Sequence, residues 1–154
     1  AQQANVLSQD IDAVCASFNA LDTWAQPIVS AGKKDKILLT TIGSINEDFV
    51  KAFQDGTLSL LAAENIERFG IAVPMIINAV DGNADALKAD GVATNLELNY
   101  WLIDSYEEAS KIYELQQTER IYSAETLKRL IKNLNPEASP EVLEEVVYSA
   151  EFGL

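Results

Sequence analysis

The sequence predicts an α/β fold: an open, mostly parallel sheet with flanking helices, followed by a helical carboxy-terminal extension. Three observations carry this. Short apolar runs alternate with helical stretches three times, each helical stretch closes on a glycine or a basic turn, and the last third is acidic and helix-patterned.

Taken in order, the chain opens on a stub, Ala1 to Gln9, that reads as the end of a helix. Ile11 to Ser17 (IDAVCAS), Lys36 to Ile42 (KILLTTI) and Leu58 to Ala63 (LSLLAA) are near-continuous apolar or small runs, the composition of parallel strands buried on both faces. Between and after them lie the helical stretches Ala20 to Ala31, Asn46 to Asp55 and Ile66 to Val80. They end at Gly32 with Lys33 and Lys34, at Gly56, and at Asp81-Gly82, where a glycine or a cation satisfies the free carbonyls of a last turn. Pro27 and Pro74 fall inside two of these stretches and should kink them or shift their starts.

Ala93 to Ile103 (ATNLELNYWLI) alternates polar and apolar residues and predicts one longer strand. Asp104 or Ser105 then caps a helix through Leu115. Ser123 caps another, with Leu127, Leu130, Ile131 and Leu134 on one face, and Ser139-Pro140 opens the last. The corresponding division is 1–82 for the sheet-bearing part, 83–104 for a connecting strand, and 105–154 for the helical extension.

Composition narrows the function classes. The 154 residues suffice for one ordinary core, and 48% hydrophobic with 23% charged residues is the mix of a folded globular chain. With 11 Lys plus Arg against 24 Asp plus Glu, the net charge of -13 repels phosphates and anionic lipid, so nucleic acid is not an expected partner. The one cysteine, Cys15, sits in an apolar run and reads as a small buried residue. No run of about 18 apolar residues is present, and the amino terminus lacks a basic-then-apolar leader, so the targeting segment of an exported protein would precede Ala1.

The absence of histidine removes His-dependent triads and His-ligated metals, and one cysteine makes no thiolate cluster. Neither glycine-rich phosphate motif occurs, so no nucleotide cofactor is expected. Asp81-Gly82-Asn83-Ala84-Asp85 imitates the start of a calcium loop, but Ala86 and Val92 replace the required glycine and glutamate, and a helix-end turn is the better reading. No catalytic residue and no metal ligand is assigned.

In open α/β sheets, ligands bind beyond the carboxyl ends of the strands. The loops there begin with Ser17-Phe18-Asn19, Gly43-Ser44-Ile45-Asn46 and Glu64-Asn65. Together with Ala31-Gly32-Lys33, Lys51-Ala52, Asp55-Gly56-Thr57-Leu58 and Phe69-Gly70-Ile71-Ala72, the stretch from Gln9 to Asp104, about two thirds of the chain, resembles the second lobe of type I periplasmic sugar-binding proteins.

The resemblance implies an extracytoplasmic receptor, not an enzyme. It would close two lobes on a small polar solute and hand it to the membrane permease of an ABC-type importer, the amino-terminal lobe lying outside this sequence. It also carries ligand positions over. Asn19 supplies an amide and Phe18 a ring to stack on a sugar face. Ser44 stands where the family has an aspartate, Glu64 is at the polar position after the third strand, and Asn65 is beside it. Plainer roles stay open for each: core packing for Phe18, helix caps for Asn19 and Asn65, a turn for Ser44, and a first-turn acid for Glu64. Trp24, Tyr100 and Trp101 read as core or hinge packing. Two other readings share the pattern: the effector-sensing domain of a LacI-like transcription regulator, and a small acidic interaction module.

Overall fold

The computed structural model describes residues 2–64 and 66–150. The chain divides into two compact units, Ala1–Asn65 with Tyr100–Thr118, and Ile66–Asn99 with Glu119–Leu154. These boundaries differ from the expected ones, because each unit is assembled from two separate stretches of sequence.

The first unit contains α1 (Gln2–Leu7), β1 (Ala13–Ala16), a π-helical segment (Leu21–Ala25) that runs into α2 (Gln26–Ser30), β2 (Leu38–Gly43), α3 (Glu47–Gln54), β3 (Leu60–Ala63), β6 (Trp101–Ile103) and α5 (Tyr106–Thr118). The widened turn precedes Pro27, which has no N–H to donate backwards, so the proline shifts the start of the regular helix as expected. α2 and α3 both close in the same way: Lys33 N–H reaches Ile28 O while Gly32 N–H reaches Val29 O, and Thr57 and Gly56 do the same to Ala52 and Phe53. Both glycines have φ near +70° (66° and 73°), the left-handed conformation this closure requires.

The sheet order is β1-β2-β3-β6, parallel through β3, with β6 antiparallel to β3. Because β1, β2 and β3 follow in spatial sequence without reversal, right-handed crossovers carry α2 and α3 to the same face. That face is the core: Val14, Leu39, Leu61, Ala63 and Ile103 pack with Ile28, Phe53, Ala109 and Ile112. Trp24 and Trp101 pack against this cluster, whereas Tyr100 is exposed.

The apolar runs are therefore not buried on both faces. Ala13, Cys15, Leu38, Thr40, Ile42, Leu60, Ala62 and Leu102 share the opposite side of the sheet by register, and none of them is buried. Cys15, expected inside, is exposed. One-sided crossovers explain both differences, since among the described residues no helix of the unit is left for that face.

The second unit contains a 3₁₀ turn (Ile66–Ile71) leading into α4 (Ala72–Val80), the hairpin β4 (Lys88–Ala89) and β5 (Val92–Ala93), α6 (Ala124–Lys128) and α7 (Pro140–Tyr148). The single long strand expected over 93–103 does not form. Asp90 and Gly91 both take positive φ (51° and 76°), a tight turn that folds Val92-Ala93 back on Lys88-Ala89 and leaves only Trp101–Ile103 for the sheet.

Ser123 and Ser139 cap their helices as predicted, accepting from Thr126 N–H and Val142 N–H. α6 stops at Lys128, and Leu130 and Ile131 follow in tighter i to i+3 turns that bury both side chains while Leu134 stays exposed. The unit's core gathers Leu87, Tyr122, Leu130, Leu143, Val146 and Val147. Asp81 to Asp85 is a helix-end turn, Asn83 N–H bonding back to Asn78 O at 2.7 Å. Its carboxylates are engaged, Asp81 by Asn133 and Asp85 by Lys88. Among the described residues, no helix is long and apolar enough to cross a membrane, and no cluster of three acidic or cysteine side chains is arranged to hold a metal ion.

Candidate functional site

Parallel pairing brings the carboxyl ends of β1 and β2 side by side at one edge of the sheet, and the loops leaving them enclose a depression of about 600 Å³. Its lining comes from both loops and from the helical turns they enter: Phe18, Asn19, Leu21 and Asp22 on one side, and Ile42, Gly43, Ser44, Asn46, Asp48 and Phe49 on the other.

Local chemistry shapes each wall. Asn19 takes φ of 52°, a conformation that asparagine tolerates better than most side chains, and its carbonyl accepts from Thr23 N–H at 3.0 Å to start the next helical segment. On the second wall, Ile45 is buried and anchors the loop, so Ser44 and Asn46 face away from the core. Asn46 caps α3 by accepting from Phe49 N–H at 3.0 Å, which fixes the first turn and with it Asp48 and Phe49. The Phe49 ring lies against Gly43, where a methyl group would stand 3.5 Å from it. Phe18 is 70% exposed, an aromatic face at the mouth of a polar hollow.

The electrostatics are one-sided. Asp22 and Asp48 contribute carboxylates, and among the described residues the lining has no lysine or arginine. One turn along α3, Lys51 holds Glu47 at 2.7 Å, lowering the Glu47 pKa below its ordinary value and raising that of Lys51. The first-turn acids offset the positive end of the helix dipole. The hollow is therefore built to accept hydrogen bonds from hydroxyl or ammonium groups and to repel anions.

The structure thus brings together three of the five residues predicted as ligand contacts, Phe18, Asn19 and Ser44. Glu64 follows β3, and its N–H donates to Gly43 O at 3.0 Å, but its side chain is not part of the lining. Asn65 lies outside the described residues. Sequence reasoning missed Asp22, Asn46, Asp48 and Phe49. The signal for Asp48 was present: the carboxylate that Ser44 lacks stands four residues on, one turn into the helix that Asn46 caps.

No family model, curated protein or solved structure matches the chain. Two other cavities among the described residues offer a comparison. A cleft of about 540 Å³ between α1 and α2 has a mainly small or apolar lining, with Lys33 at its edge. The Lys33 ammonium already donates to Leu7 O and Gln9 O, at 2.5 and 3.1 Å. A pocket of about 150 Å³ beside Asn78 in the second unit borders an amide that is hydrogen-bonded at both ends. Neither of these two combines amides, carboxylates, a hydroxyl and an exposed ring, as the depression at the strand ends does.

Proposed function

We propose that the chain is the ligand-gripping part of a solute-binding receptor, holding a small polar, sugar-like solute at the carboxyl ends of β1 and β2. In this reading a second lobe completes the grip, and the receptor delivers the solute to a membrane permease outside the cytoplasm. The observation that carries it is the convergence of Phe18, Asn19 and Ser44 on one hollow at the sheet end where α/β ligand sites form. Rings stack on the apolar face of a sugar while amides and carboxylates take its hydroxyls, which is the division of labour this lining offers. Asp48 restores the charged acceptor that Ser44 lacks, and the acidity of the site excludes phosphorylated solutes.

With half of the contacts supplied elsewhere, binding by this chain alone is weak, so the test must sense millimolar affinity. Backbone amide NMR titrations with neutral sugars, polyols and amino-acid-like solutes, up to about 100 mM, meet that need. One solute class is expected to shift the resonances of Phe18 to Asp22 and Ser44 to Phe49. Asn19→Ala and Asp48→Asn should each weaken that response several-fold. The absence of shifts at these two loops across the whole series would overturn the reading.

A further inference from the structure

The hollow at the ends of β1 and β2 carries more negative charge than a neutral sugar can answer. Asp22 and Asp48 line it from its two walls, and among the described residues neither is held in an ion pair. The lysines of the sheet unit are committed elsewhere. Lys33, Lys34 and Lys36 precede β2, a strand about 20 Å long, and so stand at the end away from the hollow. Lys33 and Lys34 donate there to the carbonyls of Leu7, Gln9 and Asp55. Lys51 is taken by Glu47, and Lys111 belongs to α5, outside the lining.

The opposing positive field is smaller. Two helical segments begin at the hollow, at Leu21 and at Glu47, and the start of each contributes about half a positive charge. Together they offset one of the two carboxylates and leave the other. A solute hydroxyl donates one hydrogen bond to a carboxylate and leaves its charge in place, whereas an ammonium donates up to three and cancels it. The rings favour the same group: Phe18, exposed at the mouth, and Phe49, half-buried in the wall, attract a cation to their faces. Asn19 and Ser44 remain for hydroxyls, since an amide and a hydroxyl each donate and accept.

Resting on the receptor reading above, we propose that the solute is a hydroxylated amine in its ammonium form, an amino sugar or amino polyol without an acidic group, its cation held by Asp22 and Asp48. A carboxylate on the solute, as in a sugar acid, meets the same two acids and is rejected.

Matched pairs that exchange one hydroxyl for an amine separate this proposal from the reading it rests on. Glucosamine and glucose, galactosamine and galactose, and glucamine and sorbitol are titrated into the chain at about pH 6, where the amines are protonated. In at least one pair the amine is expected to shift the amide resonances of Phe18 to Asp22 and Ser44 to Phe49 at about tenfold lower concentration than its hydroxyl partner. That ratio should fall towards one as salt rises from about 10 mM to 0.5 M. Glucuronate should leave both loops unmoved. Asp22 and Asp48 are exposed, so replacing both by Asn removes charge without opening the core. The double variant should lose the preference for the amine and keep the response to its hydroxyl partner.

Equal responses within every pair would overturn the amine while leaving the receptor reading standing. Silence of both members of every pair at these loops would overturn both. Amine shifts scattered over acidic surfaces with no preference for the two loops, or a preference that survives the double substitution, would also overturn the assignment. So would calcium chloride at about 5 mM moving the two loops more than any amine, because the oxygens would then be serving a metal cation.

Discussion

The two units are held together by different physics. In the sheet unit, cohesion comes from backbone ladders and one continuous apolar layer running from Leu7 through Leu39 and Leu61 to Ile112, and side-chain hydrogen bonds are mostly local caps. In the helical unit, segments far apart in sequence are sewn by side-chain polar contacts. Asn78, 2% exposed, donates to Leu130 O at 2.7 Å and accepts from Lys132 N–H at 2.8 Å. Asn133 bridges Asp81 and Asn83, Arg129 meets Glu145 at 2.9 Å, and Tyr148 reaches Glu97 N–H. Where regular structure is scarce, the buried amide of Asn78 ties segments that no strand ladder joins, and the exposed contacts add to it at the surface.

That contrast can be broken or sharpened by mutation. The largest effect is expected from Leu61→Ala, a fully buried side chain in the middle of the sheet; the cavity it leaves should cost about 3 kcal/mol in urea unfolding. Both tryptophans, Trp24 and Trp101, belong to the sheet unit, so their fluorescence reads it alone. The loss should appear first in that signal.

Next comes Asn78→Ala, which strands a buried carbonyl and a buried N–H at once and should cost about 2 to 3 kcal/mol. This loss should appear in far-UV circular dichroism before it appears in the tryptophan signal. A cost under about 0.5 kcal/mol would mean that the helical unit rests on its apolar core after all, and the contrast would fail.

The smallest effect is expected at Tyr122, whose buried hydroxyl has no hydrogen-bond partner among the described residues. Burial raises its pKa above the ordinary 10.0, and the charge of Arg68 opposes this only in part. The folded state therefore holds the phenolic proton more tightly than the unfolded chain does. The associated stability is complete below pH 10 and declines as pH rises through the elevated folded value. Tyr122→Phe should leave neutral-pH stability equal or up to about 1 kcal/mol higher, and should flatten the decline in alkaline unfolding curves. A destabilised variant with an unchanged alkaline limb would show that the hydroxyl has a partner.

The sheet unit was the more legible in sequence, for the same reason that it is the simpler. Its strands and the glycine stops at Gly32 and Gly56 are local signals, as are the caps at Ser123 and Ser139 in the other unit, and each appears where local chemistry puts it. Burial on one face was not legible, because strand composition alone does not report the direction of successive crossovers. The single strand predicted over Ala93 to Ile103 left no place for the turn at Asp90-Gly91, so the hairpin was missed.

The candidate site was legible where it begins at strand ends and illegible one helical turn further in. Phe18, Asn19 and Ser44 lie on strand-end loops that the sequence marks out, but placing Asp48 and Phe49 beside them required knowing which way α3 leaves its cap. The units themselves, each stitched from separate stretches, leave no mark in composition.

That stitching sets the order in which the molecule can be made. During synthesis β3 emerges well before its antiparallel neighbour β6, with the whole of Ile66–Asn99 translated in between. Until then the outer edge of β3 carries unpaired backbone groups, the feature by which nascent chains aggregate. The last strand to arrive is only three residues long, yet it is the one that closes the edge.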